Sequence, residues 1–148
     1  MGLTGEVWNA IDFNHLITAL PRTKLPECNR GSWYCPVATQ DDAQTLDYLC
    51  RKGGVSKVYD LGAGTLELSV EMDRRGYDVV AYESIKRLTE YALERLPDNS
   101  VEVRNRDYYA DWGEIRNENA AFVALGMVNS VPGDAPNGIT VDGMSVDK

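Results

Sequence analysis

The 148-residue chain is poor in the groups that usually announce a chemistry. It has a single histidine, His15, and three cysteines, Cys28, Cys35 and Cys50. No C-x-x-C pair occurs, and the 28/35/50 spacing matches no zinc-ligand pattern, so no metal site is expected. An odd cysteine count argues against a disulfide framework. No Ser/His/Asp or Cys/His arrangement stands out, and one histidine leaves few general bases. No apolar run approaches the roughly 18–20 residues that cross a bilayer, and the N-terminus lacks the basic start and apolar stretch of a signal peptide. A cytoplasmic location with no membrane partner is the expectation. Lysine is scarce, five against ten arginines, and the net charge is −8. A chain this acidic repels phosphate backbones at ordinary salt, which makes nucleic acid an unlikely partner.

What is present is ordinary for one globular domain: 43% hydrophobic and 26% charged residues. Residues 1–38 read as an amphipathic helix over 5–20 followed by a proline-rich irregular loop that carries the adjacent aromatics Trp33 and Tyr34. Residues 39–128 read as a Rossmann-like core and 129–148 as a turn-rich tail. Within the core, TQDDAQTLDYLCRKGG predicts a helix capped by Thr39, with Arg51 and Lys52 in its last turn and glycines at its end. KVYDLG is a short strand running into glycines.

The segment that follows, TLELSVEMD, supports two readings. Its apolar residues alternate strictly, which suits a strand and a hairpin over residues 65–83. Its composition is helix-forming, and Arg74-Arg75-Gly76 is a helix stop; the helix is favoured. DVVAYE is a second strand, and Ser84 opens a further helix. VEVRN is a third strand, followed by a short helix capped by Asp107. AFVALGMV is a fourth strand, and a fifth is plausible near Gly138–Val141. Strands alternating with helices predict an α/β fold: a doubly wound, mainly parallel sheet of four to five strands with helices on both faces.

In such a sheet, ligands sit beyond the carboxyl ends of the strands. Three acids fall there: Asp60, Glu83 and Asp107. Between the first two lies Gly62-Ala63-Gly64, a bend that a ligand can approach closely and that leads into a helix N-terminus. Glu83 lies 21 residues after Gly62, where a carboxylate accepts both hydroxyls of a ribose. Asp107 is placed to accept from an adenine amino group, with Tyr108 and Tyr109 beside the ring. The third glycine of the dinucleotide fingerprint is replaced by Glu67, which disfavours a diphosphate. An acid just before the glycines suits a cationic ligand.

VYDLGAGTLELSVEMDRRGYDVVAYE thereby resembles the first motif and second strand of class I S-adenosylmethionine-dependent methyltransferases. The resemblance covers roughly residues 39–128. It implies S-adenosylmethionine as cofactor, with Asp60 near the methionine amino group, Gly62, Ala63 and Gly64 as the glycine loop, Glu83 at the ribose, and Asp107 with Tyr108 at the adenine. It implies methyl transfer to a small molecule or protein, with Trp33, Tyr34 and Asn129 as acceptor-side candidates. The family's sheet has seven strands, so the chain looks truncated after its fourth or fifth. A sheet ending there leaves an edge for a second copy or a partner protein to cover. Two other functions remain open: a catalytically idle module serving as an assembly or regulatory subunit, viral or haloarchaeal, and a binder of NAD or another nucleotide.

Overall fold

A computed structural model describes residues 36–96, 98–124 and 131–142. The expected first helix, His15, Trp33, Tyr34, Cys28, Cys35 and Asn129 all lie outside the described residues. The core begins with α1 (Pro36–Gly53), then alternates β1 (Lys57–Leu61), α2 (Glu67–Arg74), β2 (Asp78–Tyr82), α3 (Lys86–Arg95) and β3 (Glu102–Arg104). A 3-10 turn (Tyr108–Ala110) and the one-turn α4 (Trp112–Ile115) lead to β4 (Ala121–Ala124) and β5 (Ile139–Asp142).

The five strands form one sheet in the order β3-β2-β1-β4-β5, and every pairing is parallel. β1 lies at the centre and is buried at Val58, Tyr59, Asp60 and Leu61. A fully buried central strand in a parallel sheet reads as a near-continuous apolar run, and the one carboxylate inside it needs a reason to be there.

Alternation along the strands sorts the core into two layers. Val58, Val79, Ala121, Val123 and Val141 face Ala43, Leu46 and Cys50 of α1 and Met72 of α2. Ala81 on that same face meets Leu66, Val70 and Ala92 between α2 and α3. On the opposite face Tyr59, Leu61, Val80, Tyr82, Phe122 and Ala124 lie under Tyr108 and Ile115, with Trp112, Val131 and Ala135 packed at the margin. Tyr59 stacks flat on Phe122 at 5.3 Å, and Trp112 meets Phe122 edge-on at 5.1 Å. Such aromatic contacts add to their buried area. Among the described residues both faces are covered, but unequally: three helices on one, a single helical turn and a crossover segment on the other.

The ambiguous stretch after the glycines is a helix, and the hairpin does not form. Ser69, Val70 and Met72 are its buried residues, a helical rather than an alternating set. It stops where expected, with Gly76 at φ 94° and the Tyr77 amide bonded to the Met72 carbonyl at 3.1 Å. Two helix starts differ from expectation. α1 begins at Pro36, three residues before Thr39, because proline suits the first helical position, where no amide is needed. α3 begins at Lys86 with Ile85 as its cap, making no side-chain capping bond, so Ser84 does not open it. The Ile85 amide is instead taken by Glu83 at 2.9 Å. Asp107 does cap the 3-10 turn as expected, accepting from the Tyr109 amide at 3.0 Å.

The connection into β5 depends on a close approach. A β-carbon at Gly138 would lie 2.5 Å from the Ala120 carbonyl oxygen and 2.7 Å from the Phe122 ring. Gly138→Ala must therefore displace backbone or a core ring, and overpacking of this kind costs about 1–3 kcal/mol. A fall in the urea midpoint with an unchanged slope is expected, whereas Gly133→Ala, with open space at its β-carbon but φ at 62°, reports backbone strain alone.

Candidate functional site

The site grows from the end of β1. Asp60, 4% exposed, points to the helical face, where its Oδ2 accepts from the Ser69 hydroxyl of α2 at 2.7 Å. Burial away from water pushes its pKa up to about 6; the Ser69 bond opposes this, and the nearby Glu83 charge adds to it.

The chain then turns through Gly62 (φ 79°) and Gly64 (φ 59°). Both are left-handed positions that suit glycine. The amides of Gly62 and Ala63 both donate to the Tyr82 carbonyl at 2.9 Å, tying the loop to the end of β2. The Gly64 amide donates to Glu83 Oε1 at 2.7 Å. A β-carbon on Gly64 would meet nothing within 4 Å. The loop therefore borders open space at the rim of the sheet.

Glu83 follows β2 directly and is 8% exposed. One carboxylate oxygen accepts from Gly64, the other from the Ile85 amide. A carboxylate has about four acceptor sites, so one on each oxygen remains. Two adjacent acceptor positions on a fixed carboxylate match a vicinal diol. The backbone of Glu83 is held in turn: its amide donates to the Arg104 carbonyl at 3.1 Å, and its carbonyl accepts from Asn105 Nδ2 at 3.2 Å. Asn105 also reaches the Thr89 hydroxyl of α3 at 2.9 Å.

Asp60, Glu83 and Asp107 thus stand at the carboxyl ends of three adjacent parallel strands, but their surroundings differ. Asp60 is turned under the loop, Glu83 is at its mouth, and Asp107 is exposed with one oxygen engaged in capping. Tyr108 is 4% exposed and sits in the second-face core, while Tyr109, 60% exposed, stacks on it at 4.6 Å. The ring open to solvent at this rim is that of Tyr109, with Tyr108 as its support. Alternating burial in a tight 3-10 turn decides which tyrosine is which, and composition alone carries no such signal.

Several residues that shape the site gave no motif in the sequence. Ser69 is legible only once α2 is known to be a helix whose first turn faces β1. Glu67, which marks the missing third glycine, is packed between α2 and α3: it accepts from the Thr65 hydroxyl and lies 3.3 Å from Arg95. Burial raises its pKa to about 7, against the pull of Thr65 and Arg95. Leu66 adopts φ 64°, and its side chain is fully buried. A non-glycine residue in the left-handed region costs roughly 1–2 kcal/mol, and burying a leucine contributes roughly 1.5–3 kcal/mol. Packing therefore offsets the strain.

A cleft of about 620 Å³ lies on the second face beside α4, lined in part by Lys57, Tyr59, Arg104, Arg106, Asp111 and Glu118. Its charges answer one another: Lys57 lies 3.1 Å from Glu118, and Arg106 lies 2.7 Å from Asp111. The Tyr82 hydroxyl donates to Asp111 at 2.6 Å. These pairs neutralise much of the charge lining the cleft. Among the described residues no cluster of histidine, cysteine or acid side chains is arranged to hold a metal ion, and no helix is long and apolar enough to cross a membrane.

No family model and no curated protein sequence matches the chain. Solved structures do. The bifunctional kinase-methyltransferase WbdD superposes with a TM-score of 0.54 at 18% identity, over 78% of this chain and 28% of that one. The plantazolicin methyltransferase BpumL, solved in complex with S-adenosylhomocysteine, superposes with a TM-score of 0.55 at 12% identity, over 80% of this chain and 44% of that one. This is the class I methyltransferase fold. At such identities the likeness concerns the fold alone, and the chain spans less than half the length of either methyltransferase. The likeness rests on the all-parallel β3-β2-β1-β4-β5 core.

Proposed function

We propose that the chain binds S-adenosylmethionine at the Gly62–Gly64 bend and transfers its methyl group to a small molecule or a protein. The observation that carries this reading is the Glu83 carboxylate, pinned by the Gly64 and Ile85 amides with acceptor capacity left on both oxygens. Gly62, Ala63 and Gly64 supply the close backbone approach. Asp60 supplies negative potential beneath it, which favours a cationic ligand over a diphosphate. Asp107 and the Tyr108–Tyr109 stack border the same rim, where an adenine would lie. S-adenosylmethionine supplies a methyl group already activated on a sulfonium, so orienting an acceptor is the protein's main task. Trp33, Tyr34 and Asn129 stay acceptor-side candidates on their sequence alone.

Calorimetry against S-adenosylmethionine, S-adenosylhomocysteine, NAD and ATP tests the reading. Expected is a Kd for S-adenosylhomocysteine on the order of 10 μM, about −7 kcal/mol, with NAD and ATP at least tenfold weaker. Tighter binding of NAD, or no S-adenosylhomocysteine binding at millimolar concentration, overturns it.

A second reading is favoured by one observation. The described sheet ends at β5, whose Thr140 is exposed, and among the described residues the second face carries little helix. A module that binds cofactor without turnover and joins a second copy or a partner protein through this edge fits that geometry. Binding with no methyl transfer to any acceptor, together with a stable oligomer, distinguishes it.

A further inference from the structure

Among the described residues, Leu66 is the one non-glycine position with positive φ. It lies between the glycine bend and the first turn of α2. A backbone held against its own preference persists only where its surroundings over-determine it, and here the surroundings can be named. The Leu66 side chain shares a buried cluster with Val70 of α2, Ala81 of β2 and Ala92 of α3, one residue from each element around the loop. Two of the three are alanines, whose small side chains leave room for a leucine. The Leu66 amide donates to the Ala63 carbonyl at 3.1 Å, and its own carbonyl accepts from Val70 at 2.9 Å. The loop is thus fastened at Leu66 by side chain and backbone together. Gly64, enclosed in the Ala63–Leu66 turn, cannot swing without moving it.

We infer that Leu66 is a positioning residue: a buried peg that holds the left-handed kink and thereby aims the Gly64 amide at Glu83. A glycine would permit this kink; leucine enforces it. The inference rests on the cofactor reading above only for its effect on affinity, because the aim of the Gly64 amide is measurable without ligand.

The test is hydrogen exchange of the Gly64 amide, expressed as a ratio to the Val80 amide of β2 in the same sample, so that a general loss of stability cancels. Leu66→Ala removes the peg and keeps the strain; Leu66→Gly removes both. The ratio is expected to rise tenfold or more in Leu66→Ala and by less in Leu66→Gly. Leu46→Ala, a deletion in the α1 core, is expected to leave it within twofold. A merely space-filling leucine gives the reverse order, because glycine leaves the larger hole and the looser chain. That order, or an unchanged ratio in Leu66→Ala, overturns the inference. If Leu66→Ala does not fold, Leu66→Val, close in volume but disfavoured at positive φ, is expected to raise the ratio, and an unchanged ratio there is equally fatal. Affinity for S-adenosylhomocysteine is expected to fall at least tenfold in Leu66→Ala. If the unmodified protein binds none, the cofactor reading fails and the exchange ratio alone decides the role of Leu66.

Discussion

Replacing Glu83 with alanine is expected to weaken S-adenosylhomocysteine binding by one to two orders of magnitude and to lower the stability of the free protein as well. Both effects have one origin. The carboxylate accepts from the Gly64 and Ile85 amides, so its removal strips two half-buried donors of their partner. Each unsatisfied donor costs about 1–3 kcal/mol. The ligand loses hydrogen bonds to a charged group, worth about 1.5–3 kcal/mol each, in a loop that is no longer held in place. Glu83→Gln separates the two contributions. One amide oxygen remains to accept, but the second position becomes a donor facing the Ile85 or Gly64 amide, so stability recovers in part while affinity does not. Thermal unfolding and calorimetry on the same preparations check this. A Glu83→Ala variant with full affinity removes the ribose role; one with full stability removes the loop-bracing role.

Asp60→Asn is expected to act in the opposite sense on stability. The Asp60 carboxyl is buried and its pKa is raised from 3.8 to about 6, so the folded state binds its proton more tightly than the unfolded state does. Below about pH 4 both states are protonated and the group costs nothing. As pH rises from about 4 to about 6 the unfolded state releases its proton while the folded state still holds it, so stability falls, and it levels off once the buried carboxyl ionises. At about 1.4 kcal/mol per pKa unit, the penalty at pH 8 is of order 2–3 kcal/mol. An asparagine side-chain oxygen can still accept from Ser69, so the variant keeps the bond and sheds the charge. It is expected to melt higher than the unmodified protein at pH 8, to match it near pH 4, and to show a shallower decline between. Glu67, raised to about 7 by burial, keeps part of that decline in both proteins. Affinity for S-adenosylmethionine should fall more than that for S-adenosylhomocysteine, because only the former carries the sulfonium charge. An unchanged melting profile across pH contradicts the buried-charge account; equal losses for the two ligands contradict the electrostatic role.

An acid at the end of an apolar run, just before two glycines, is visible before any coordinates; its burial is not. D-L-G-A-G after an apolar run, with a second acid 21 residues beyond the first glycine, is a spacing that only a β-turn-α-β unit brings together. That much of the site was legible, as were the strands, since parallel strands buried on both faces are plain apolar runs. The alternation in TLELSVEMD could have misled, but helix-forming composition and the Arg-Arg-Gly stop outweighed it.

Less could be read where tertiary contacts decide. Thr39 and Ser84 are good caps by residue type, yet Pro36 starts one helix earlier and Ile85, not Ser84, stands at the cap of the other, its amide held by Glu83. Leucine at φ 64° has no local signature, because its cost is met by Val70, Ala81 and Ala92, residues 4 to 26 positions away. Nor did the tyrosine pair show which ring faces outward. The β3–β4 crossover, by contrast, was legible as a short helix capped by Asp107, and it forms a 3-10 turn and a one-turn helix.

The sheet order carries a kinetic corollary. β1 finds β2 about twenty positions along the chain, Val58 against Val79, but must wait for β4 until some sixty positions have passed, Val58 against Ala121. Local contacts form sooner than distant ones. The bend and its bracing glutamate therefore belong to the early-forming half of the molecule, and the strand at the middle of the finished layer spends its first moments as an edge.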